Sequence, residues 1–284
     1  MTLTTALDYD PTATYEVKWR DVEYRREGAL SLKARVYEPQ AAGPFPAAVD
    51  VHGGAWGPGN HLQNASTHEA LAASGLVVVA IEFRTSAEAP HPAALRDINH
   101  ATRWLKAHAG DFNAGPESVG GVGWSSGGHQ VMLSAMRPRH YADIPLPEAP
   151  ALDASLAYVV MGWPVIDPVA RYRLAQERGN EQFVQRHLAY FGDEAGMEEA
   201  SPPHILARGE AVELPPALIV QGAADDALTR MMAEGFVEAY SLAGGVIELG
   251  KYPGGAHGFL REPGPNRERA LALIKSFIAR QLAA

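Results

Sequence analysis

The chain has 284 residues, enough for a large domain with a full hydrophobic core, and its 46% hydrophobic and 20% charged residues are those of a globular protein. A formal net charge of −9 argues against sequence-independent binding to nucleic acid, which needs a basic surface to displace counterions, and against attraction to anionic lipid. The absence of cysteine excludes disulfides, thiolate metal sites and a cysteine nucleophile.

Two alternating runs, residues 18–25 and 30–38, flank Gly28 and read as an antiparallel hairpin. Ala47–Val51 is a short apolar run that ends in His52-Gly53-Gly54. Residues 76–83 form a β-branched stretch suited to a strand buried on both faces. Helical periodicity follows over 92–109, stopped by Gly110. A short strand over 118–123 precedes a small-residue helix over 127–136. Strands are predicted at 156–161, 217–221 and 246–251, and helices at 229–242 and 267–282. After the opening hairpin the pattern alternates strand and helix, which implies a mostly parallel sheet with helices on both faces.

One stretch breaks the alternation. Residues 168–191 carry a helical pattern with Tyr172, Leu174, Phe183, Leu188, Tyr190 and Phe191, where an ordinary connection needs about 2–6 residues. Residues 168–203 therefore read as a cap insertion within one domain spanning 1–284, either a lid over a site or an excursion without a catalytic role. Residues 1–20 show no signal-like apolar run, and the apolar stretch 76–81 is far short of the ~20 residues that cross a bilayer. The expectation is a cytoplasmic chain with no membrane partner; self-association stays open.

Four pieces carry chemistry. Gly123-Trp124-Ser125-Ser126-Gly127 matches G-x-S-x-G between a strand and a helix, where small neighbours relieve a strained nucleophile turn. The alternative, a phosphate loop, needs G-x-x-x-x-G-K-[ST], which is absent here. His52-Gly53-Gly54-Ala55-Trp56 follows a strand, where backbone N–H groups can form an oxyanion hole. By that pattern the donors are Gly54, Ala55 and Ser126. Gln221-Gly222-Ala223-Ala224-Asp225-Asp226 offers a carboxylate, with Asp226 and Asp167 as competitors to Asp225. His257, in Gly254-Gly255-Ala256-His257-Gly258-Phe259, is placed to exchange a proton with Ser125.

With these pieces in the order Ser, Asp, His, the sequence resembles the α/β-hydrolase superfamily over nearly its whole length. Within the esterase branch it is similar to hormone-sensitive-lipase-like carboxylesterases, the feruloyl/acetyl-xylan-esterase-like group and the kynurenine formamidases. The run Phe83-Arg84 … Pro90-His91-Pro92-Ala93-Ala94-Leu95-Arg96-Asp97 adds to the likeness and departs from it through Thr85-Ser86-Ala87. Ala55 stands where a third Gly is usual, and Ser126 where Ala or Asp is common. The resemblance implies an eight-stranded sheet with a small helical cap. It also implies a serine hydrolase acting on a small-molecule ester without a cofactor or metal, its catalytic residues Ser125, Asp225 and His257. An aryl-formamide or other amide hydrolase, or a silent binding member of the fold, are the alternatives.

Trp56, Trp124, Trp163, Tyr190, Phe191 and Phe259 are candidates for an aromatic-lined pocket, or else for core. His52 and His129 read as supports of the site, and Asp97 as the partner of a basic residue. His68-Glu69 lacks the second histidine of a zinc motif.

Overall fold

The computed structural model describes residue 7 and residues 9–283; the first positions of the 1–20 stretch lie outside it. Its centre is one eight-stranded sheet, in the order β1-β2-β4-β3-β5-β6-β7-β8. The strands are β1 (Val17–Glu27), β2 (Leu30–Pro39), β3 (Ala47–Val51), β4 (Val77–Ile81), β5 (Gly120–Trp124), β6 (Val159–Gly162), β7 (Ala217–Gly222) and β8 (Ile247–Tyr252). β2 pairs antiparallel with β1 and β4, and every pairing from β4 through β3 to β8 is parallel. The expected mostly parallel sheet is therefore present. Its central strands are buried along their full length because helices cover both faces.

The helices are α1 (Ala65–Ala72), α2 (Ala93–His108), α3 (Ser126–Met136), α4 (Pro168–Glu177), α5 (Glu181–Phe191), α6 (Glu194–Glu199), α7 (Pro202–Ala207), α8 (Met232–Leu242) and α9 (Pro265–Leu282). Alternate residues of β3 divide the core: Val49 and Val51 pack with α2, α3, α8 and the cap, while Ala48 packs with α1 and α9. α4 to α7 fill the interval between β6 and β7, where the sequence shows its insertion. The single helical pattern over 168–191 is two helices, because Gly179 turns the chain at φ 62° and Asn180 caps α5 by accepting from the Phe183 N–H at 3.2 Å. The last helix starts two residues earlier than its periodicity suggests, with Pro265 in its first turn.

Asp97 is fully buried and takes hydrogen bonds from Arg84 Nε at 2.8 Å and the Arg84 N–H at 2.9 Å, and an ion pair from Arg25. It ties β1 to α2, as its pairing in the sequence reading requires. Among the described residues no helix is long and apolar enough to cross a membrane.

Candidate active site

Ser125 connects the end of β5 to the start of α3 with φ 54° and ψ −119°, a region disfavoured for any residue with a Cβ. The turn is held from both sides. The Ser125 N–H donates to the Gly162 carbonyl at 2.9 Å, and the Ser125 carbonyl accepts from the Val165 N–H at 3.0 Å. The flanking glycines are required by close approach: a Cβ at Gly123 would lie 2.4 Å from the Gly127 carbonyl oxygen, and one at Gly127 would lie 2.1 Å from the Val51 oxygen. The G-x-S-x-G spacing thus lets β5, α3 and the end of β3 converge on the hydroxyl of Ser125, which is 9% exposed.

Ser125 Oγ is 2.9 Å from His257 Nε2, and His257 Nδ1 is 2.8 Å from Asp225 Oδ2. The loops bearing these two residues are joined through the main chain, with the Ala224 N–H donating to the Gly255 carbonyl at 2.9 Å. The Asp225 side chain is 1% exposed. Its Oδ2 also accepts from Gln221 Nε2 at 2.9 Å, and its Oδ1 from the Ala227 N–H at 2.9 Å. Burial pushes this carboxyl up, but the His257 bond, with those from Gln221 and Ala227, outweighs it and holds the group below the ordinary range.

Neither competing carboxylate meets His257 among the described contacts. Asp167 caps α4 by accepting from the Val169 and Ala170 N–H groups at 3.1 and 3.2 Å, while the exposed Asp226 offers its main-chain oxygen to Arg178.

Beside Ser125 runs the loop of His52 to Trp56. Ala55 and Trp56 have φ 52° and 58°, and Gly54 has φ 142°. Among the described residues, neither the Gly54 nor the Ala55 N–H has a protein acceptor. The Ser126 N–H lies in the first turn of α3, at the positive end of its dipole. Four contacts steady the loop. His52 Nδ1 meets the Gly53 carbonyl at 2.7 Å, and its ring stacks on Phe83 at 4.3 Å. The Trp56 N–H donates to Ser126 Oγ at 3.3 Å. Trp56 Nε1 donates to His129 Nδ1 at 3.2 Å, which leaves His129 Nε2 to donate to the Ala200 carbonyl of the cap at 2.8 Å.

The aromatic residues do not line an open pocket as a group. Trp124, Trp163 and Tyr190 are fully buried, and Trp56 and Phe191 nearly so. Trp124 belongs to the core face of α1 and α9, with Nε1 on Asp50 Oδ2 at 2.5 Å; His68 Nε2 is 3.0 Å from the other Asp50 oxygen but misaligned for a hydrogen bond. Trp163 packs behind the imidazole, its ring 6.2 Å from His257 and 5.6 Å from the partly buried Phe259. Trp56 stacks on Tyr190 at 5.9 Å and meets Phe191 and His187 edge-on at 4.9 and 4.8 Å. These rings bury more surface against one another than a cleft would let them, so they become the joint between the loop and the cap.

Two participants escaped the sequence reading. Gln221, the second donor to Asp225, is a polar residue on an otherwise apolar strand, which was the available signal. His187 bears no sequence mark; burial holds it down at about 4. A cavity of about 620 Å³ flanks the loop, lined in part by Leu30, Leu32, His52, Leu62 and Phe83. Among the described residues, no group of three or more His, Asp or Glu side chains could hold a metal ion.

Esterase LipC of Mycobacterium tuberculosis is 28% identical over 228 residues, 76% of this chain and 53% of LipC. Carboxylic ester hydrolase LipN of the same organism is 30% identical over 246 residues, 82% of this chain and 62% of LipN. The chain thus spans about half to three-fifths of the length of these relatives. The propionate-bound structure of the Thermogutta terrifontis esterase Est2 superposes with a TM-score of 0.72 at 26% identity, covering 94% of each chain. The BD-FAE family model matches residues 35–239, well over half of the chain, which therefore belongs to the BD-FAE family and carries the α/β-hydrolase fold.

Proposed function

We propose that the chain is a serine hydrolase of carboxylic esters. The observation that carries this reading is the continuous hydrogen-bonded path from Ser125 Oγ through His257 to Asp225 Oδ2, ending at a strained turn beside two unpaired backbone donors. The names of LipC and LipN, esterase and carboxylic ester hydrolase, support it. Ser125 Oγ attacks the ester carbonyl carbon while His257 Nε2 takes the hydroxyl proton. The N–H groups of Gly54, Ala55 and Ser126 receive the negative charge on the carbonyl oxygen. The tetrahedral species collapses, His257 gives the proton to the departing alcohol, and an acyl group remains on Ser125. Water then attacks, losing its proton to His257, and the acid leaves as Ser125 recovers that proton. Asp225 keeps the Nδ1–H tautomer throughout and balances the imidazolium.

The test is labelling by a fluorophosphonate probe alongside turnover of 4-nitrophenyl esters. Ser125→Ala should lose labelling and lower kcat by on the order of 10⁴–10⁶-fold. Its stability should stay within about 1 kcal/mol of the parent, since one hydroxyl is removed. Labelling that survives the substitution would refute the assignment.

A further inference from the structure

Four arginines are more than nine-tenths buried, and three are visibly accommodated. Arg25 pairs with Asp97 and Glu27, and Arg137 with Glu199 and Glu210. Arg103 donates to Asn99 Oδ1 at 2.8 Å and to the Ile144 carbonyl at 2.7 Å. Arg171, on α4 of the cap, is 6% exposed and differs. Among the described residues its guanidinium meets no carboxylate and no hydrogen-bond acceptor; its close neighbour is the Phe183 ring, whose centroid lies 4.1 Å from Cζ. None of its nitrogens is among the sealed polar atoms that lack a partner, so each keeps a little contact with accessible space. A cation withdrawn from water without a partner is costly, and burial lowers its affinity for the proton.

Its surroundings span the site. Asp225 carries the opposite charge nearby, but no ion pair joins it to Arg171, and its two oxygens accept from His257, Gln221 and the Ala227 N–H. The cation that bears on Arg171, Arg178, donates to the Asp226 main-chain oxygen. On the other side the next residue, Tyr172, has its ring 5.7 Å from that of His187, which is 4.8 Å from Trp56 of the loop beside Ser125. Among the described residues the cap thus holds a buried guanidinium with no hydrogen-bond acceptor and no ion pair, on a helix whose end meets the Asp225–Asp226 loop and which packs on the helix that carries His187 against Trp56.

We propose that Arg171 receives a free carboxylate of the substrate, so that the preferred esters carry a carboxylate elsewhere in the molecule. This rests on the ester-hydrolase reading above. One guanidinium presents two parallel donors and a single charge, which suits a carboxylate in bidentate geometry. A phosphoryl dianion would call for a second free cation, and Arg178 is already committed to the Asp226 carbonyl.

Two pairs of esters test this. On the acyl side, 4-nitrophenyl hydrogen glutarate is compared with 4-nitrophenyl pentanoate; on the alcohol side, O-acetylglycolate is compared with ethyl acetate. The parent should favour the charged member of one pair in kcat/KM by on the order of 10–100-fold, carried mainly in KM. Arg171→Gln should bring that ratio close to one, and Arg171→Lys should retain part of it. A parent with no preference in either pair overturns the proposal. So does an Arg171→Gln ratio equal to the parent's beside a lowered Tm, which would reduce Arg171 to a packing partner of Phe183. Calorimetric titration of Ser125→Ala with monomethyl glutarate and O-acetylglycolate reads the same site without turnover. Binding of either, lost in Ser125→Ala/Arg171→Gln, supports the proposal, and binding of neither overturns it. Failure of the ester-hydrolase reading shows separately, as absence of fluorophosphonate labelling and of turnover for all four esters.

Discussion

Asp225→Asn tests the site through a conflict that can be read off its hydrogen bonds. Three donors converge on the Asp225 carboxylate: His257 Nδ1 and Gln221 Nε2 on Oδ2, and the Ala227 N–H on Oδ1. An asparagine has one carbonyl oxygen for these three donors. If the oxygen stays on the Ala227 N–H, the amide NH₂ faces Gln221 and the imidazole. His257 must then turn its lone pair to Nδ1 and carry its proton on Nε2, where it can no longer accept from Ser125. If the amide is reversed, its NH₂ meets the Ala227 N–H in a buried place, which costs about 1–3 kcal/mol of stability for the unpaired donors. The loop favours the first arrangement. Its expected cost under the proposed mechanism is near 10⁴-fold in kcat, equivalent to ~5.5 kcal/mol in the barrier, by the tautomer argument that holds for serine hydrolases. Asp226→Asn is the control: that side chain is exposed and its contact with Arg178 uses the main chain, so kcat should stay within about twofold. The assay is steady-state turnover of a 4-nitrophenyl ester, with circular dichroism to establish folding. Asp225→Asn within tenfold of the parent, or an impaired Asp226→Asn, would refute the assignment.

Other outcomes follow from the same geometry. Tyr190→Ala should lower stability by ~3–5 kcal/mol in urea denaturation, because a fully buried ring stacked on Trp56 leaves a cavity; a loss under 1 kcal/mol would show that the cap is not packed as described. Ser126→Ala keeps the backbone donor but removes the acceptor of the Trp56 N–H, so kcat should fall several-fold, well short of the loss at Ser125; an unchanged kcat would show that Ser126 Oγ does not steady the loop. Burial holds His129 at about 3 and His187 at about 4, so below an ordinary value near 6.5 the unfolded chain binds protons that the folded chain refuses. Stability is therefore complete above that value and falls with pH, by roughly 2 kcal/mol per histidine at pH 5. Denaturation midpoints equal at pH 7 and pH 5 would contradict this. Asp225 and Glu199, both held below their ordinary values, add losses only at lower pH.

The frame of the molecule was legible because its signals are local. β3, β4 and β7 are runs of apolar residues short enough to be strands, and burial on both faces leaves no alternation to confuse them. Gly123 and Gly127 announced a close backbone approach that the structure realises within one turn of α3. The family resemblance implied Asp225 over its neighbour, and it is Asp225 that meets His257. The role of the aromatic residues was not legible, since it is set by partners remote in the chain. Trp56 is buried by Tyr190, Phe191 and His187, all from α5, and a residue-by-residue reading cannot distinguish a ring that faces a cleft from one that faces another ring. Arg171 was invisible for the same reason: within a helical pattern rich in charge it reads as a solvated side chain, and its burial depends on how α4 packs on α5.

The packing of Trp56 changes what the cap must do. Its backbone N–H is held by Ser126 Oγ, its indole N–H by His129, and its ring by α5. His129 can accept from Trp56 only while its other nitrogen donates to Ala200, which lies between α6 and α7. The loop beside Ser125 therefore has one support on α3 and two that lead into the insertion. Ala55 and Trp56 sit at positive φ, a conformation that costs on the order of 1–3 kcal/mol per residue and persists only where the surroundings hold it. An insertion serving as a cover alone could be loosely attached. This one supplies part of the restraint on a strained loop that runs beside Ser125, so the helices between β6 and β7 belong to the geometry of the site as much as to its boundary.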